Sequence, residues 1–119
     1  MTLNGQIALV TGAGSGIGKA CSIALAEAGA TVVCADIDLT AAQATADNIA
    51  AGQKRALAVP VDVRDLGQID AMVAKAIATY GQIDIVVNNA GVTRSADIMD
   101  LTGATVAPLL IVETGSAEK

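Results

Sequence analysis

The sequence has no Trp, no Phe and a single Tyr, so its core must be built from small aliphatic side chains. Aromatic side chains usually supply the largest single burials, and we therefore expect a domain of modest stability. The hydrophobic fraction is nevertheless 53%, which excludes a disordered chain. A length of 119 residues fits one domain of ordinary size.

The chain also lacks the residues that several classes of ligand require. His is absent, and Cys21 and Cys34 form no C-x-x-C pair, so the common metal-ligand spacings are missing. The basic residues are scattered singly in a chain of net charge −5, which argues against a nucleic-acid partner. No apolar run approaches the roughly 20 residues of a membrane helix, and the N-terminus lacks the basic start of a secretory signal. We expect a cytoplasmic protein with reduced thiols.

What the sequence does contain is an alternation of two kinds of segment. Short apolar segments rich in β-branched residues occupy 7–11, 31–36, 56–61 and 83–88. Longer segments with helical spacing of apolar residues lie between them, at 15–28, 39–51 and 65–80. Because the short segments are apolar on both faces, they are typical of buried parallel strands. The order β-α-β-α-β-α-β predicts a parallel sheet with right-handed crossovers.

Local signals mark the ends of the predicted helices. Gly29 and Gly52 are expected to end the first two, since glycine readily adopts the left-handed conformation that follows many helices. Asp65 followed by Gln68 resembles a capping box at the start of the third, with Asp in place of the usual Ser or Thr.

A glycine-rich segment, residues 11–18, joins the first strand to the first helix. Glycine permits close backbone approach, and a helix N-terminus offers free N–H groups to a phosphate. The common G-x-G-x-x-G fingerprint does not fit, because its last glycine would fall on Ile17 or Lys19. A P-loop does not fit either, because Ala20 stands where Ser or Thr is required. The pattern present is T-G-x-x-x-G-x-G.

That pattern resembles the short-chain dehydrogenase/reductase family, and further elements of the family's pattern follow in order. Asp36 ends the second strand, Asp62 and Val63 follow the third, and an N-N-A-G segment at 88–91 ends the fourth. The resemblance covers residues 1–102. It implies an α/β fold, a Rossmann-type doubly wound parallel sheet of order 3-2-1-4 with helices on both faces, truncated to the cofactor-binding half.

By the same resemblance, the carboxyl ends of the strands would hold a dinucleotide. Asp36 would accept hydrogen bonds from both hydroxyls of the adenosine ribose. Asp62 and Val63 would contact the adenine, and Asn88 would brace the sheet. The residues expected to bind the cofactor are Gly12, Gly14, Ser15, Gly16, Ile17, Gly18, Asp36, Asp62, Val63, Asn89, Ala90 and Gly91.

Asp36 favours NAD over NADP as the cofactor. A 2′-phosphate would lie against its carboxylate, and two like charges ~4 Å apart repel by about 4 kcal/mol at an effective dielectric near 20. No basic residue in residues 12–18 or directly after Asp36 offsets that repulsion. Lys19 is better explained as a solvated side chain in the first turn of the helix.

Catalytic residues of the family are not found. Its members use a Tyr as general acid/base and a Lys four residues later that lowers the pKa of the Tyr. Here Tyr80 is followed four residues later by Asp84, and its place on the apolar face of the third helix predicts a core role. Ser116 follows a strand-like run but no Tyr comes after it, so we expect a solvated tail residue.

The tail departs from the family's pattern at about Gly103, which divides the chain into a NAD-binding half-domain at 1–102 and a divergent tail at 103–119. A short helix is predicted around residues 96–101. The outer edge of the fourth strand would be free, which is a pairing hazard. We expect residues 106–112 to pair there as a replacement fifth strand, with Pro108 near its start. Edge-to-edge pairing of two chains is the alternative. A truncated, spliced or frame-shifted gene and an engineered half-domain all remain open as origins.

Four functions are consistent with the sequence. The first is an NAD-dependent alcohol/ketone oxidoreductase, represented by a cofactor half that binds a small molecule without turnover. The second is a non-catalytic module for adenine nucleotides. The third is an S-adenosylmethionine-dependent methyltransferase, since Gly12-x-Gly14-x-Gly16 with an acid after the second strand also occurs there; the N-N-A-G segment and Thr11 argue against it. The fourth is a nonfunctional fragment. No substrate is predicted.

Overall fold

The computed structural model of the chain describes residues 2–90 and the backbone of residues 110–113. Five strands and three helices occupy these residues. The strands are β1 Ile7–Thr11, β2 Thr31–Asp36, β3 Ala56–Pro60, β4 Ile85–Asn88 and β5 Leu110–Glu113. The helices are α1 Gly16–Glu27, α2 Leu39–Ala51 and α3 Leu66–Tyr80.

All five strands form one parallel sheet of order β3-β2-β1-β4-β5. In the centre of the sheet, Leu9 of β1 lies opposite Val33 of β2 and Val86 of β4. The predicted order 3-2-1-4 is therefore confirmed.

The expected fifth strand is also present, as β5 beside β4. Ile111 lies opposite Val86 in that pairing. The strand is described from Leu110 onward; Pro108, the remainder of the predicted run and the short helix predicted around residues 96–101 lie outside the described residues.

Both faces of the sheet are covered, and successive residues of each inner strand point to opposite faces. Ile7 and Leu9 of β1 pack with α3, whereas Ala8 and Val10 face α1 and α2. The apolar character of both faces, which predicted buried parallel strands, follows from this arrangement. Side chains in both layers are small or aliphatic, and Tyr80 lies partly buried against the α3 layer. Its predicted place in the core, rather than in a catalytic site, agrees with that contact.

Two strand ends differ from the prediction by one or two residues. β3 ends at Pro60 instead of residue 61, and β4 begins at Ile85 instead of residue 83. Asp84 explains the second difference. Its backbone N–H donates to the Ile7 carbonyl at 2.8 Å, while its carboxylate accepts the Ile7 N–H at 2.8 Å. A side chain thus supplies the acceptor at the position where the sheet ladder would otherwise begin.

The first two helices end in the same hydrogen-bond motif, with different residues in the left-handed position. Gly29 follows α1 with a φ of 110°, as predicted. After α2, however, Gly52 has a φ of −88°, and the left-handed residue is Gln53 at 64°. The Gln53 and Lys54 amides donate to the carbonyls of Ala50 and Ile49, which completes a Schellman motif. Gly52 marks the end of the helix without occupying the strained position.

The start of α3 is a modified capping box. The Asp65 carboxylate accepts the amides of Gly67 and Gln68 at 2.9 and 3.3 Å, as an N-cap does. Gln68 does not return to the Asp65 amide, as a capping box would have it; its Oε1 accepts the Asp62 N–H at 2.8 Å. The same glutamine therefore joins the helix to the turn that follows β3.

Candidate functional site

A cleft of about 260 Å³ lies across the carboxyl ends of β1 to β4. In open parallel sheets, ligands bind at the carboxyl ends of the strands, next to the point where the strand order reverses. In this sheet that point lies between β1 and β4. The cleft is lined by Gly12, Asp36, Ile37, Val61, Asp62, Val63, Arg64 and Ala90. Each of these residues ends a strand or lies within about four residues after one, so the topology brings them to the same edge.

The turn after β1 requires glycine at positions where other parts of the backbone come close. Gly12 has a φ of 67°, and a Cβ there would lie 2.8 Å from the side-chain nitrogen of Asn89. A Cβ on Gly18 would overlap the carbonyl oxygen of Gly12 and lie 2.7 Å from the same Asn89 nitrogen. Glycine at both positions therefore lets the start of α1 pack directly against the loop and the end of β4.

Hydrogen bonds hold the loop in shape. The Ala13 N–H donates to the Ala35 carbonyl at 3.0 Å, and the Thr45 hydroxyl donates to the Ala13 carbonyl at 2.9 Å. The Asn89 side-chain amide donates to the Gly12 carbonyl at 3.3 Å. Strands β2 and β4 and helix α2 thus fix the loop from three sides, which makes it a preorganised site.

The N-terminus of α1 presents unused donors beside this loop. Ser15 occupies the N-cap position, but its side chain makes no capping hydrogen bond. Within the described part of the chain, the amides of Gly16, Ile17 and Gly18 donate to no acceptor. A Cβ on Gly16 would meet nothing within 4 Å, so the first residue of the helix is not crowded by the described residues. Such a group of amides, with the positive end of the helix dipole, suits a phosphate.

Asp36 is fixed at the end of β2 by two backbone amides. Its Oδ2 accepts the Gly14 N–H at 2.8 Å, and its Oδ1 accepts the Asp38 N–H at 2.9 Å. A Cβ on Gly14 would lie 2.8 Å from that Oδ2 and 2.6 Å from the Ala41 methyl group. Gly14 therefore allows the loop to approach the carboxylate. Each oxygen keeps a further lone pair for a hydroxyl donor.

Asp62 and Arg64 form an ion pair on the opposite side of the cleft. The Arg64 Nη2 lies 2.9 Å from Asp62 Oδ2, while its Nε and its backbone N–H donate to Oδ1 at 2.9 and 3.0 Å. The hydrogen bonds from Arg64 lower the pKa of Asp62 to about 2. They also raise the pKa of Arg64 above its ordinary value. The pair stays charged at every pH of interest.

A buried junction connects β1 to β4 behind the cleft. The Thr11 hydroxyl donates to Asn88 Oδ1 at 3.1 Å and accepts the amides of Asn89 and Ala90 at 3.1 and 3.2 Å. Thr11 and Asn88 are both buried. The junction sets the direction in which the chain leaves β4, and it gives Asn88 the bracing contact that the resemblance implied.

Comparison with known proteins identifies this arrangement. The family model of the short chain dehydrogenases matches residues 6–114, nearly the whole chain. The chain belongs to the short-chain dehydrogenase family. The match extends beyond Gly103, where the resemblance drawn from the sequence ends.

Dehydrogenases that act on different substrates are among the relatives of this short-chain dehydrogenase segment. It is 39% identical over 104 residues to the (2S)-[(R)-hydroxy(phenyl)methyl]succinyl-CoA dehydrogenase subunit BbsD of Thauera aromatica, covering 87% of this chain and 42% of that protein. It is 45% identical over 102 residues to galactitol 2-dehydrogenase of Agrobacterium fabrum, covering 86% of this chain and 39% of that protein. The chain thus spans about two-fifths of the length of the relatives it matches.

Solved structures of the family superpose on the fold. A 7α-hydroxysteroid dehydrogenase complexed with NADH and 7-oxo glycochenodeoxycholic acid gives a TM-score of 0.74 at 39% identity, over 81% of this chain and 40% of that one. A hydroxysteroid dehydrogenase from Escherichia coli gives 0.73 at 41% identity, over 74% of this chain and 37% of that one.

The structure gathers the sequence-predicted site residues around one cleft in this short-chain dehydrogenase segment. Those that line the cleft itself are Gly12, Asp36, Asp62, Val63 and Ala90. Beside it, Ser15, Gly16 and Ile17 form the start of α1, while Gly14, Gly18 and Asn89 support the loop. Gly91 lies outside the described residues, as does Ser116. Three residues of the cleft were not predicted, namely Ile37, Val61 and Arg64. Their only signal is position, since each follows the carboxyl end of β2 or β3.

The remaining reactive groups lie away from the cleft. Both cysteines are free thiols. Burial raises the pKa of the Cys34 thiol to about 11, which leaves it unreactive. Among residues 2–90 and 110–113 no group of His, Cys, Asp or Glu could hold a metal ion, and no helix is long and apolar enough to cross a membrane.

Proposed function

We propose that this chain is the NAD-binding segment of a short-chain dehydrogenase that transfers a hydride between NAD and an alcohol or ketone. The observation that carries the proposal is the Asp36 carboxylate, which the Gly14 and Asp38 amides hold beside the cleft. A fixed carboxylate at the end of the second strand is suited to the two hydroxyls of an adenosine ribose. A related 7α-hydroxysteroid dehydrogenase has been solved with NADH.

Each part of NAD has a matching group in the chain. The pyrophosphate would lie against the amides of Gly16, Ile17 and Gly18, and the adenosine ribose against Asp36. The adenine would enter the cleft between the apolar side chains of Ile37 and Val63. The nicotinamide, which supplies the hydride acceptor when bound, would extend past the end of β4.

The cleft favours NAD over NADP because Asp36 would face a 2′-phosphate. One cation also lines the cleft, since the Arg64 side chain lies there and is 70% exposed. Its guanidinium is already engaged by the Asp62 carboxylate through two side-chain hydrogen bonds. A 2′-phosphate could bind Arg64 only by breaking that pair. Arg64 therefore does not offset the repulsion between Asp36 and the 2′-phosphate.

The chain is expected to bind the cofactor without turnover. The family's Tyr-x-x-x-Lys pair does not occur in the 119 residues, and Tyr80 packs against the core on α3. Without that pair the chain lacks the side chains that the family uses to exchange the proton of the alcohol. Dehydrogenase activity therefore needs residues that this stretch of sequence does not contain.

Titration calorimetry of the purified chain with NAD, NADP and S-adenosylmethionine tests the proposal. We expect weak binding of NAD, weaker binding of NADP and none of S-adenosylmethionine. Binding of S-adenosylmethionine alone would replace the proposal with the methyltransferase alternative. NADH formation with any secondary alcohol would contradict the absence of turnover.

A further inference from the structure

We propose that Arg64 is a positioning residue that lets the site select a 6-aminopurine over a 6-oxopurine, by holding the Asp62 carboxylate in one orientation at the cleft. The inference rests on the proposed function, since it takes the adenine of NAD as the group that reaches Asp62. The binding of the adenine there follows from the family; the role of Arg64 follows from the contacts of this chain.

The first argument is the number of donors that Asp62 already accepts. An ionised carboxylate offers about four lone-pair positions, two on each oxygen. Oδ1 accepts both the backbone N–H and Nε of Arg64, whereas Oδ2 accepts only Nη2. Among the described residues no second donor reaches Oδ2. The carboxylate therefore has room for one more donor, on a known oxygen, in a side chain that lines the cleft and remains 24% exposed.

The second argument is that the backbone beneath Asp62 is also fixed. Its N–H donates to Gln68 Oε1 at 2.8 Å, and its carbonyl accepts the Asp65 N–H at 2.9 Å. These two bonds hold the loop after β3 against the start of α3. Arg64 in turn holds the Asp62 side chain in place on that loop. A bidentate guanidinium fixes both the distance and the plane of a carboxylate, which a lysine cannot do.

Fixed orientation matters because adenine and hypoxanthine differ in donor pattern as well as in polarity. The 6-amino group of adenine is a donor, and it would donate to Oδ2. In hypoxanthine position 6 carries an acceptor, and the donor has moved to the neighbouring ring nitrogen. A mobile carboxylate could turn to reach that donor and would discriminate little. A carboxylate held by Arg64 cannot turn. The 6-oxo group, an acceptor, would then face Asp62 Oδ2, which is also an acceptor, and no hydrogen bond would form. Because the pair stays ionised, Asp62 cannot become a donor instead.

The test compares NAD with nicotinamide hypoxanthine dinucleotide by NMR shift titration of the full chain. We expect the unaltered chain to prefer NAD by about tenfold or more, as one hydrogen bond to a charged group allows. In Arg64→Met the preference should fall to about threefold or less, and Arg64→Lys should give an intermediate ratio. Arg55→Met is the matched control, because it removes an exposed arginine away from the cleft and should keep the full preference.

The ratio of the two affinities separates positioning from a merely structural role. A loss of fold in Arg64→Met would weaken both ligands equally, and its thermal melting curve would show it. If the unaltered chain prefers NAD and Arg64→Met keeps the same ratio, the role of Arg64 is overturned while the proposed function stands. Equal binding of the two dinucleotides by the unaltered chain would also overturn the role of Arg64 and leave the proposed function standing. If neither dinucleotide binds, the proposed function fails and this inference fails with it.

Discussion

At the scale of single residues, the sequence predicts best those positions whose role is backbone geometry. Gly12 and Gly18 follow from the spacing of a motif, and the structure gives the reason, since a side chain at either would meet Asn89. Arg64 could not be predicted in the same way. Its contact with Asp62 depends on a turn whose shape is set by Gln68, six residues from Asp62. The Arg64 N–H to Asp62 bond is a local Asx turn, but the guanidinium contact that accompanies it is not specified by residue spacing.

Asp36→Ala is expected to weaken NAD binding and to narrow the gap between NAD and NADP. The substitution removes the acceptor for the ribose and the charge that opposes a 2′-phosphate. A hydrogen bond to a charged group is worth about 1.5–3 kcal/mol, so NAD affinity should fall at least about tenfold. Asp47→Ala on the exposed face of α2 removes the same charge without touching the cleft and should change neither affinity. Calorimetry measures both; equal affinity of the unaltered chain for the two cofactors would contradict the role of Asp36.

Gly18→Ala and Gly16→Ala should both lower the stability, but for different structural reasons. The Gly18 substitution forces a methyl group into the Gly12 carbonyl oxygen, and overpacking of this kind costs about 1–3 kcal/mol. At Gly16 a methyl group meets open space, so the cost is that of a positive φ, about 1–2 kcal/mol. The two variants should differ more clearly in local structure, because only Gly18→Ala should displace Asn89 and Ala90 and so shift their NMR signals. Identical shifts at these two residues in both variants would mean that the close contact is absent.

At the scale of elements, the existence and type of every described helix and strand up to β4 follow from hydrophobic spacing, while several of their ends do not. The ends are decided by hydrogen bonds between distant residues, as at Asp84, or by which residue takes the left-handed position after a helix. Gly52 illustrates the second case. Gly52 ends α2 as predicted, but the positive φ falls on the next residue, because the Schellman bonds of α2 place Gln53 in the left-handed conformation.

Gln53→Gly is therefore expected to stabilise the protein. Glycine adopts a φ near 64° without the steric cost that Gln53 carries, so the free energy of unfolding should rise by about 0.5–1 kcal/mol. For a domain of this size that is an increase of a few degrees in Tm.

Gly52→Ala is the matched control for this change. Gly52 has an ordinary negative φ, and a Cβ there would lie 3.5 Å from the Ile49 carbonyl oxygen, an ordinary contact. We expect Gly52→Ala to leave Tm unchanged or slightly higher. If Gly52→Ala lowers Tm and Gln53→Gly does not raise it, the left-handed residue is Gly52 after all. Thermal unfolding followed by circular dichroism measures both variants.

At the scale of the whole molecule, the position of the site follows from topology. A parallel sheet of order β3-β2-β1-β4-β5 places the carboxyl ends of β1 to β4 on one edge, where the loops that bear Gly12, Asp36, Asp62 and Ala90 converge. The alternation of strands and helices predicts that edge, and the motifs predict which residues reach it. The chemistry beyond cofactor binding could not be predicted, because the chain spans about two-fifths of the length of its relatives.

The pairing of β5 with β4 adds the fifth strand of the described sheet, and two proline substitutions test it. Successive residues of a strand direct their N–H groups to opposite sides, so only one of Ile111 and Val112 can donate to β4. Proline at that residue removes a ladder hydrogen bond, whereas at the other it removes a donor that faces no strand among the described residues. We expect one of Ile111→Pro and Val112→Pro to lower the free energy of unfolding by about 1–3 kcal/mol more than the other, because it leaves a polar group of the buried strand β4 without its partner. Urea denaturation gives the difference, and equal effects of the two prolines would show that β5 is not paired with β4.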